Sequence, residues 1–330
     1  MADFPMSVTA AVTSRELAFR RFASSDAIFR SITRFAAYFV LLMLGGIIVT
    51  LIIGSWLALS TFGVGFFTSE SWNPVTEKFG AIAPVYGTIV TSAIAMIIAT
   101  PIGLGIGIFL TEMCPMVLRR PIGTAIELLA GVPSIIYGMW GLFFLAPLLQ
   151  DFEQNYLIPL TEPIPILSSI FAGPSYGIGM LTAGVILAIM VLPFIAAISR
   201  DVFDTVPPVL KEAAYGLGCT TREVVGKVVL PYARVGVLGG TMLALGRALG
   251  ETMAVTFVIG NSHRVVASIL APGTTISASI ANEFTEAVSD LYTSSLVALA
   301  LILFVITLIV LTCARLMLMR MNRRAGGGGH

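Results

Sequence analysis

Hydrophobic positions along this chain gather into six long runs, at about residues 36–59, 84–110, 122–149, 174–199, 233–259 and 292–319, separated by polar connections. A helix that crosses a bilayer needs about 20 apolar residues. Each run is long enough, so the pattern predicts an all-α integral membrane protein with six transmembrane helices. Pro101, Pro133 and Pro193 fall inside runs; spanning helices tolerate such residues where neighbours satisfy the freed carbonyls.

Ahead of the first run, residues 15–35 mix Arg with Leu17, Phe22, Ile28, Phe29, Ile32 and Phe35. Ile28, Ile32 and Phe35 share one helical face while Arg30 and Arg34 point elsewhere, which suits a helix lying in the lipid headgroup layer. A positively charged tail that only sets topology is an equal reading. The first run is 24 residues long and lacks a small-residue cleavage pattern behind it, so it predicts a retained anchor. The chain then divides into an amphipathic segment (1–35), a transmembrane domain (36–320) with a connecting loop at 205–231, and a flexible tail (321–330).

Composition agrees with membrane residence: hydrophobic residues make up 57% of the 330 and charged residues 11%, against roughly 25% charged in a soluble domain. Charge placement adds orientation, because basic residues collect on the cytoplasmic side. Of the 19 Lys and Arg, 16 fall before the first run, between runs two and three, around the fourth-to-fifth connection, or at the end. Lys78, Arg247 and Arg264 are the exceptions. The opposite loops hold Glu70, Glu77, Asp151, Glu153, Glu162, Glu283, Glu286 and Asp290. Both termini and the 205–231 loop are therefore expected in the cytoplasm.

Several chemistries find no residues here. Cys114, Cys219 and Cys313 map to the cytoplasmic side, where a reducing environment argues against disulfides, and their spacing makes no metal motif. His263 and His330 are too few and too far apart for a metal site. No Ser/His/Asp set or carboxylate pair of enzymatic type occurs, and no cofactor is implied. No phosphate-binding loop is present either: Gly226-Lys227 is followed by Val and lacks the upstream glycine, so ATP is not bound by that route.

The loop at residues 212–231, EAAYGLGCTTREVVGKVVLP, is charged and set between two apolar runs. Pro207-Pro208 stops the preceding helix and starts a new one. Val209 to Leu217 then predicts a short helix, closed by Gly216 or Gly218. Thr220 with Glu223 three residues on is a capping-box signature for a second helix, residues 221–229, and Pro231 resets the chain before run five. The outcome is a helix, glycine turn, helix knob facing the cytoplasm, suited to a cleft on another protein. The plainer alternative is an ordinary helical hairpin between spans.

Run five reads GVLGGTMLALGRALGETMAVTFVIGN over residues 236–261, with Arg247 and Glu251 near its centre, one helical turn apart. Ionisable groups at that depth cost at least about 2.5 kcal/mol, so they face protein or water and mark a pathway. A purely structural ion pair is weakened by the order of the charges, since Arg before Glu is the poorer helical arrangement. Arg offers a planar fork of donors to an oxyanion. Glu251 beside it would repel a dianion unless the substrate carries a proton to share, as phosphate does at neutral pH and sulfate does not. Gly246 and Gly250, with Gly239 and Gly240 earlier, would let another helix or subunit approach. Glu127, ahead of Gly131-Val132-Pro133-Ser134, sits before an expected kink, and pairing with a cytoplasmic-side Arg or a gating role suit it equally.

These features together resemble the permease subunits of the bacterial phosphate-specific ABC importers, the PstC type. The resemblance is carried by GRALGETMAVTFVIGN (246–261), ELLAGVPSIIYGMWGLF (127–143), AGVILAIMVLPFIAA (183–197), LILFVITLIVL (301–311) and the Glu-Ala-Ala loop, and covers residues 36–320. It implies a type I ABC importer permease in the cytoplasmic membrane that forms a heterodimer with a second, homologous permease. It also implies two copies of a cytoplasmic ATPase, gripping Glu212, Ala213, Ala214, Gly218, Leu230 and Pro231, and a periplasmic phosphate-binding protein docking near 60–83, 150–173 and 262–290. Phosphate would pass Arg247 and Glu251 by alternating access. Membrane lipid is the other expected contact; nucleic acid is not. Residues 155–175 match the family's pattern poorly, so docking residues stay unassigned. Two rival readings remain: a permease for another oxyanion such as sulfate or molybdate, and a secondary transporter in which Arg247 and Glu251 relay protons.

Overall fold

The computed structural model describes the backbone of residues 6–326 and the side chains of Asp26 and residues 28–321. Among these residues, six helices are long and apolar enough to cross a membrane. The major elements are α1 (Met6–Phe62), α2 (Ile82–Met113), α3 (Met116–Ala130), α4 (Ser134–Thr161), α5 (Met180–Asp204), α6 (Pro208–Gly216), α7 (Thr221–Leu249), α8 (Ile276–Glu283) and α9 (Asp290–Gly326).

The chain separates into two compact units, Met1–Ile53 and Gly54–His330. In the first, the described apolar side chains lie open: Ile28, Ile32 and Phe35 are 60%, 62% and 72% exposed. Such a surface is unfavourable in water and suits lipid. The helix runs unbroken past residue 35, where the sequence pattern put the start of the first span. Leu17 and Phe22 lie outside the described side chains.

The second unit is built around α5, whose buried face includes Ala183, Leu187, Val191 and Ile195. Small residues bring its neighbours close, the device that packs helices where lipid removes the hydrophobic drive. Added Cβ atoms at Gly103 and Gly107 of α2 would lie 2.7 Å from Ile195 and 2.8 Å from Ser199, so α2 and α5 run parallel. At Gly236 and Gly240 of α7 they would lie 2.6 Å from Val202 and 2.4 Å from Ile198, so α7 and α5 run antiparallel. Ala95, Ala99, Ala244, Ala248, Val255 and Val258 close this central core.

Two spans differ from the hydrophobic pattern. The run at 122–149 predicted one helix, but the chain breaks at Gly131–Pro133 and the spanning helix is Ser134–Thr161. Pro133 is itself out of helical conformation, with ψ 135°, and its ring disfavours helix at Val132 before it. The preceding piece is the separate helix α3.

Span five is shifted towards the loop. It starts at Thr221 and stops at Leu249, short of the expected residue 259. Pro231 does not reset the chain. The amide of Leu230 reaches the Val225 carbonyl in a π turn, Val225–Val229, and the helix continues. Proline inside a spanning helix is tolerated where a local π adjustment re-satisfies the freed backbone groups. At the other end Gly250 (φ −95°, ψ 3°) ends the helix. A short turn, Met253–Thr256, follows, and then irregular chain until α8.

Candidate functional site

The knob between spans four and five is formed as the sequence indicates. Pro207 takes an extended conformation and α6 begins at Pro208. Gly218, not Gly216, is the turn glycine, with φ +84°. Its amide donates to the Tyr215 carbonyl at 2.9 Å, and the Cys219 amide donates to Ala214 at 3.2 Å. That pair of bonds is the Schellman closure, and it satisfies carbonyls that a helix end leaves orphaned. The Glu223 carboxylate accepts from both the amide and the hydroxyl of Thr220, each at 3.0 Å.

The knob has two sides. Ala214 and Leu230 are half-buried against Val206, Val224, Val229 and Val237, so Ala214 has to be small. Glu212, Ala213, Gly218 and Pro231 are exposed, together with Val209 and Leu217, which are 71% and 86% open. Apolar side chains thus lie exposed beside a charge on this turn.

Arg247 and Glu251 are not arranged as a helical pair. Arg247 lies in the last turn of α7, exposed, while Glu251 lies beyond the helix end. The Glu251 carboxylate accepts the Ala254 amide at 3.4 Å and so starts the turn that follows. Among the described residues Arg247 makes no ion pair. Continuing the α5–α7 register from Gly236–Val202 and Gly240–Ile198 sets Arg247 level with Val191, about halfway along α5. A guanidinium without an ion-pair partner among the described residues therefore sits at mid-depth, on a face shared with exposed Leu243. The end of α7 carries partial negative charge, which Arg247 complements.

The expected small-residue pair is only partly used. An added Cβ at Gly246 would lie 3.4 Å from Leu311, an ordinary contact with α9. At Gly250 it would meet nothing closer than the Gly246 carbonyl, at 3.8 Å. The close approaches in α7 belong to Gly236 and Gly240 instead.

Glu127 pairs with Arg200 of α5 at 2.6 Å, and Arg200 also holds Asp201 at 2.9 Å. Of the two roles open to it, pairing with a basic residue is the one seen. Arg119 pairs with Asp204, so α3 is tied to the end of α5 by ion pairs at both of its ends. Pro133 breaks the chain between α3 and α4.

At the opposite end of the bundle, Glu283 gathers residues from three other segments. It accepts from Trp72 Nε1 at 2.5 Å and from the Tyr292 hydroxyl at 2.8 Å, and it pairs with His263 Nε2 at 2.7 Å. Trp72 and His263 stack, centroids 4.9 Å apart. Burial pushes the Glu283 carboxyl up, but the hydrogen bonds from His263, Tyr292 and Trp72 outweigh it and hold the group below the usual carboxylate range. No sequence pattern marks this clamp, since its members are far apart along the chain.

Six spans around a small-residue core, with a helical knob between the fourth and fifth, define a membrane permease of the ABC-importer class. A family model, binding-protein-dependent transport system inner membrane component, matches residues 103–323. The "Phosphate transport system permease protein PstC" of Mesorhizobium japonicum is 68% identical over 314 residues, covering 95% of this chain and 96% of its own. Its namesake in Pasteurella multocida is 56% identical over 301 residues, covering 91% and 94%. The chain belongs to the binding-protein-dependent permease family, in its PstC branch.

Solved structures agree in fold. The MetNI methionine ABC transporter in an inward facing conformation superposes with TM-score 0.53 at 19% identity, over 73% of this chain and 95% of its own. A bacterial ABC transporter that imports the acidic polysaccharide alginate gives 0.53 at 17%, over 87% and 98%. As a permease of this class the chain is a non-catalytic, multi-pass membrane subunit that works with ATPase and substrate-binding partners.

Proposed function

We propose that this chain is the membrane permease of an ATP-driven importer of inorganic phosphate. The observation that carries the reading is Arg247: a guanidinium without an ion-pair partner among the described residues, at mid-depth, where the helix that bears it ends. Such a group is costly in a membrane unless it faces water or an anion. The PstC relatives, named for phosphate transport, support the choice of anion.

In this reading a second, homologous permease covers the exposed face of α7, so that the pathway runs between two subunits. Two copies of a cytoplasmic ATPase grip α6 and its glycine turn, and ATP hydrolysis belongs to them. A phosphate-binding protein docks outside, over the end of the bundle that carries the Glu283 clamp. Closure of the ATPase dimer moves the knob, α7 turns, and access to Arg247 changes sides. Glu251, two residues beyond the end of α7, lowers the net positive charge near Arg247 and favours an anion that still carries a proton. The 16 basic residues on the side of the knob support cytoplasmic termini.

The test is phosphate uptake by proteoliposomes holding the whole complex, with binding protein outside and ATP sealed inside. Uptake should require both and should resist competition by sulfate. Uptake without ATP, driven by a proton gradient, would contradict the proposal.

A further inference from the structure

One spanning helix reaches from the knob to the chain that follows Arg247. The turn that ends α2, Phe109–Met113, carries Glu112, and its carboxylate lies 2.5 Å from Nζ of Lys211, the residue before Glu212-Ala213-Ala214. Both side chains are withdrawn from solvent, 5% exposed for Glu112 and 19% for Lys211. An ion pair so covered resists separation, because either charge left alone keeps its desolvation penalty. Among the described residues it is the one side-chain polar attachment of α6 to a spanning helix, since Val209, Tyr215 and Leu217 project outward.

The opposite end of α2 is held as closely. Thr88 Oγ1 accepts the Ile276 amide at 3.0 Å. A Cβ on Gly87 would fall 1.9 Å from the Thr274 carbonyl oxygen, so the two backbones touch. The helical stretch Ile82–Ile108 has 27 residues, or about 40 Å at 1.5 Å per residue. Packed against α5 for most of that length, it moves as a piece more readily than it stretches.

We propose that α2 is a rod carrying the motion of α6 to residues 250–276, and that Lys211–Glu112 is the joint by which α6 holds it. This rests on the reading of α6 as the element that the ATPase grips. Lys211 and Glu112 are positioning residues, acting through the helix that joins them to the far end. Removal of the joint separates ATP hydrolysis from movement at the far end, and restoring opposite charges in the reverse order reconnects them.

The experiment uses the full complex in proteoliposomes, with Cys114, Cys219 and Cys313 replaced by Ala and a reporter, Ala267→Cys, in the exposed far-end loop. The rate of modification by a membrane-impermeant maleimide is compared with and without ATP and vanadate. Glu112→Gln and Lys211→Met should each cut the ATP-dependent change at least fivefold, with the ATPase bound at unchanged stoichiometry and still hydrolysing ATP. The exchanged pair, Glu112→Lys with Lys211→Glu, should recover at least half of it. The proposal is overturned by a full response in the single variants, by an exchanged pair no better than they are, or by no response in the unsubstituted complex. Release of the ATPase from both single variants also overturns it, since the pair would then serve docking. The reporter does not depend on the solute carried, so failed phosphate uptake would count against the proposed function alone.

Discussion

Gly240 of α7 and Ile198 of α5 touch, and a Cβ added to the glycine would lie 2.4 Å from Cγ2 of the isoleucine. That contact, repeated at Gly236 and Val202, holds the register that sets Arg247 at mid-depth. Gly240→Val therefore overpacks the interface and should cost about 1–3 kcal/mol. Gly250→Ala, with only the Gly246 carbonyl near its new methyl group, should change stability by less than about 0.5 kcal/mol. Thermal unfolding of the two purified variants checks this, and equal midpoints would contradict the packing argument.

Gly218 holds φ +84° and closes α6 through the Tyr215 and Ala214 carbonyls. A β-branched side chain strains that conformation by roughly 1–2 kcal/mol and tilts the knob. Gly218→Val should enter the membrane in normal amount yet fail to retain the ATPase on co-purification. A variant that keeps coupled ATP hydrolysis would refute the role given to the turn.

Glu251 accepts the Ala254 amide through one carboxylate oxygen. Glu251→Gln keeps an oxygen for that bond and removes the charge, so a loss of function reports charge rather than fold. Phosphate uptake should slow, or sulfate should begin to compete. Uptake and selectivity both unchanged would remove Glu251 from the pathway.

Much of this architecture was legible in the sequence. The capping pair Thr220–Glu223 and the glycine turn are local features, and local hydrogen bonding decided them. The ends of spans three and five were not legible, because hydrophobicity runs straight through Pro133 and Gly250 while the backbone does not. Glu251 lies beyond that end, so the helical spacing that would set it one turn from Arg247 does not hold. Neither Lys211 nor Glu112 belongs to a local motif. Their pairing joins residues 99 apart in the chain, which no periodicity reveals. The clamp of Trp72, His263, Glu283 and Tyr292 was hidden for the same reason.

That clamp has a pH dependence with a definite sign. The Glu283 carboxyl titrates below its unfolded value, so its contribution is present above the ordinary carboxylate range and is lost as pH falls through the lowered value. The stability difference between wild type and Glu283→Gln should be largest near neutral pH and shrink below about pH 4, near the unperturbed carboxylate value. Thermal unfolding at a series of pH values measures it. A difference that grows on acidification would reverse the assignment.

Arg247 is the residue on which the transport reading depends, and ATP-dependent phosphate uptake tests it most directly. The comparison is between the whole complex with Arg247 and the same complex carrying Arg247→Gln, in proteoliposomes with binding protein outside and ATP inside. Uptake reduced at least tenfold, with subunit stoichiometry intact, is the predicted result and puts the guanidinium on the phosphate path. Uptake preserved in an intact Arg247→Gln complex would contradict the account and leave Arg247 a lone charge at the end of α7.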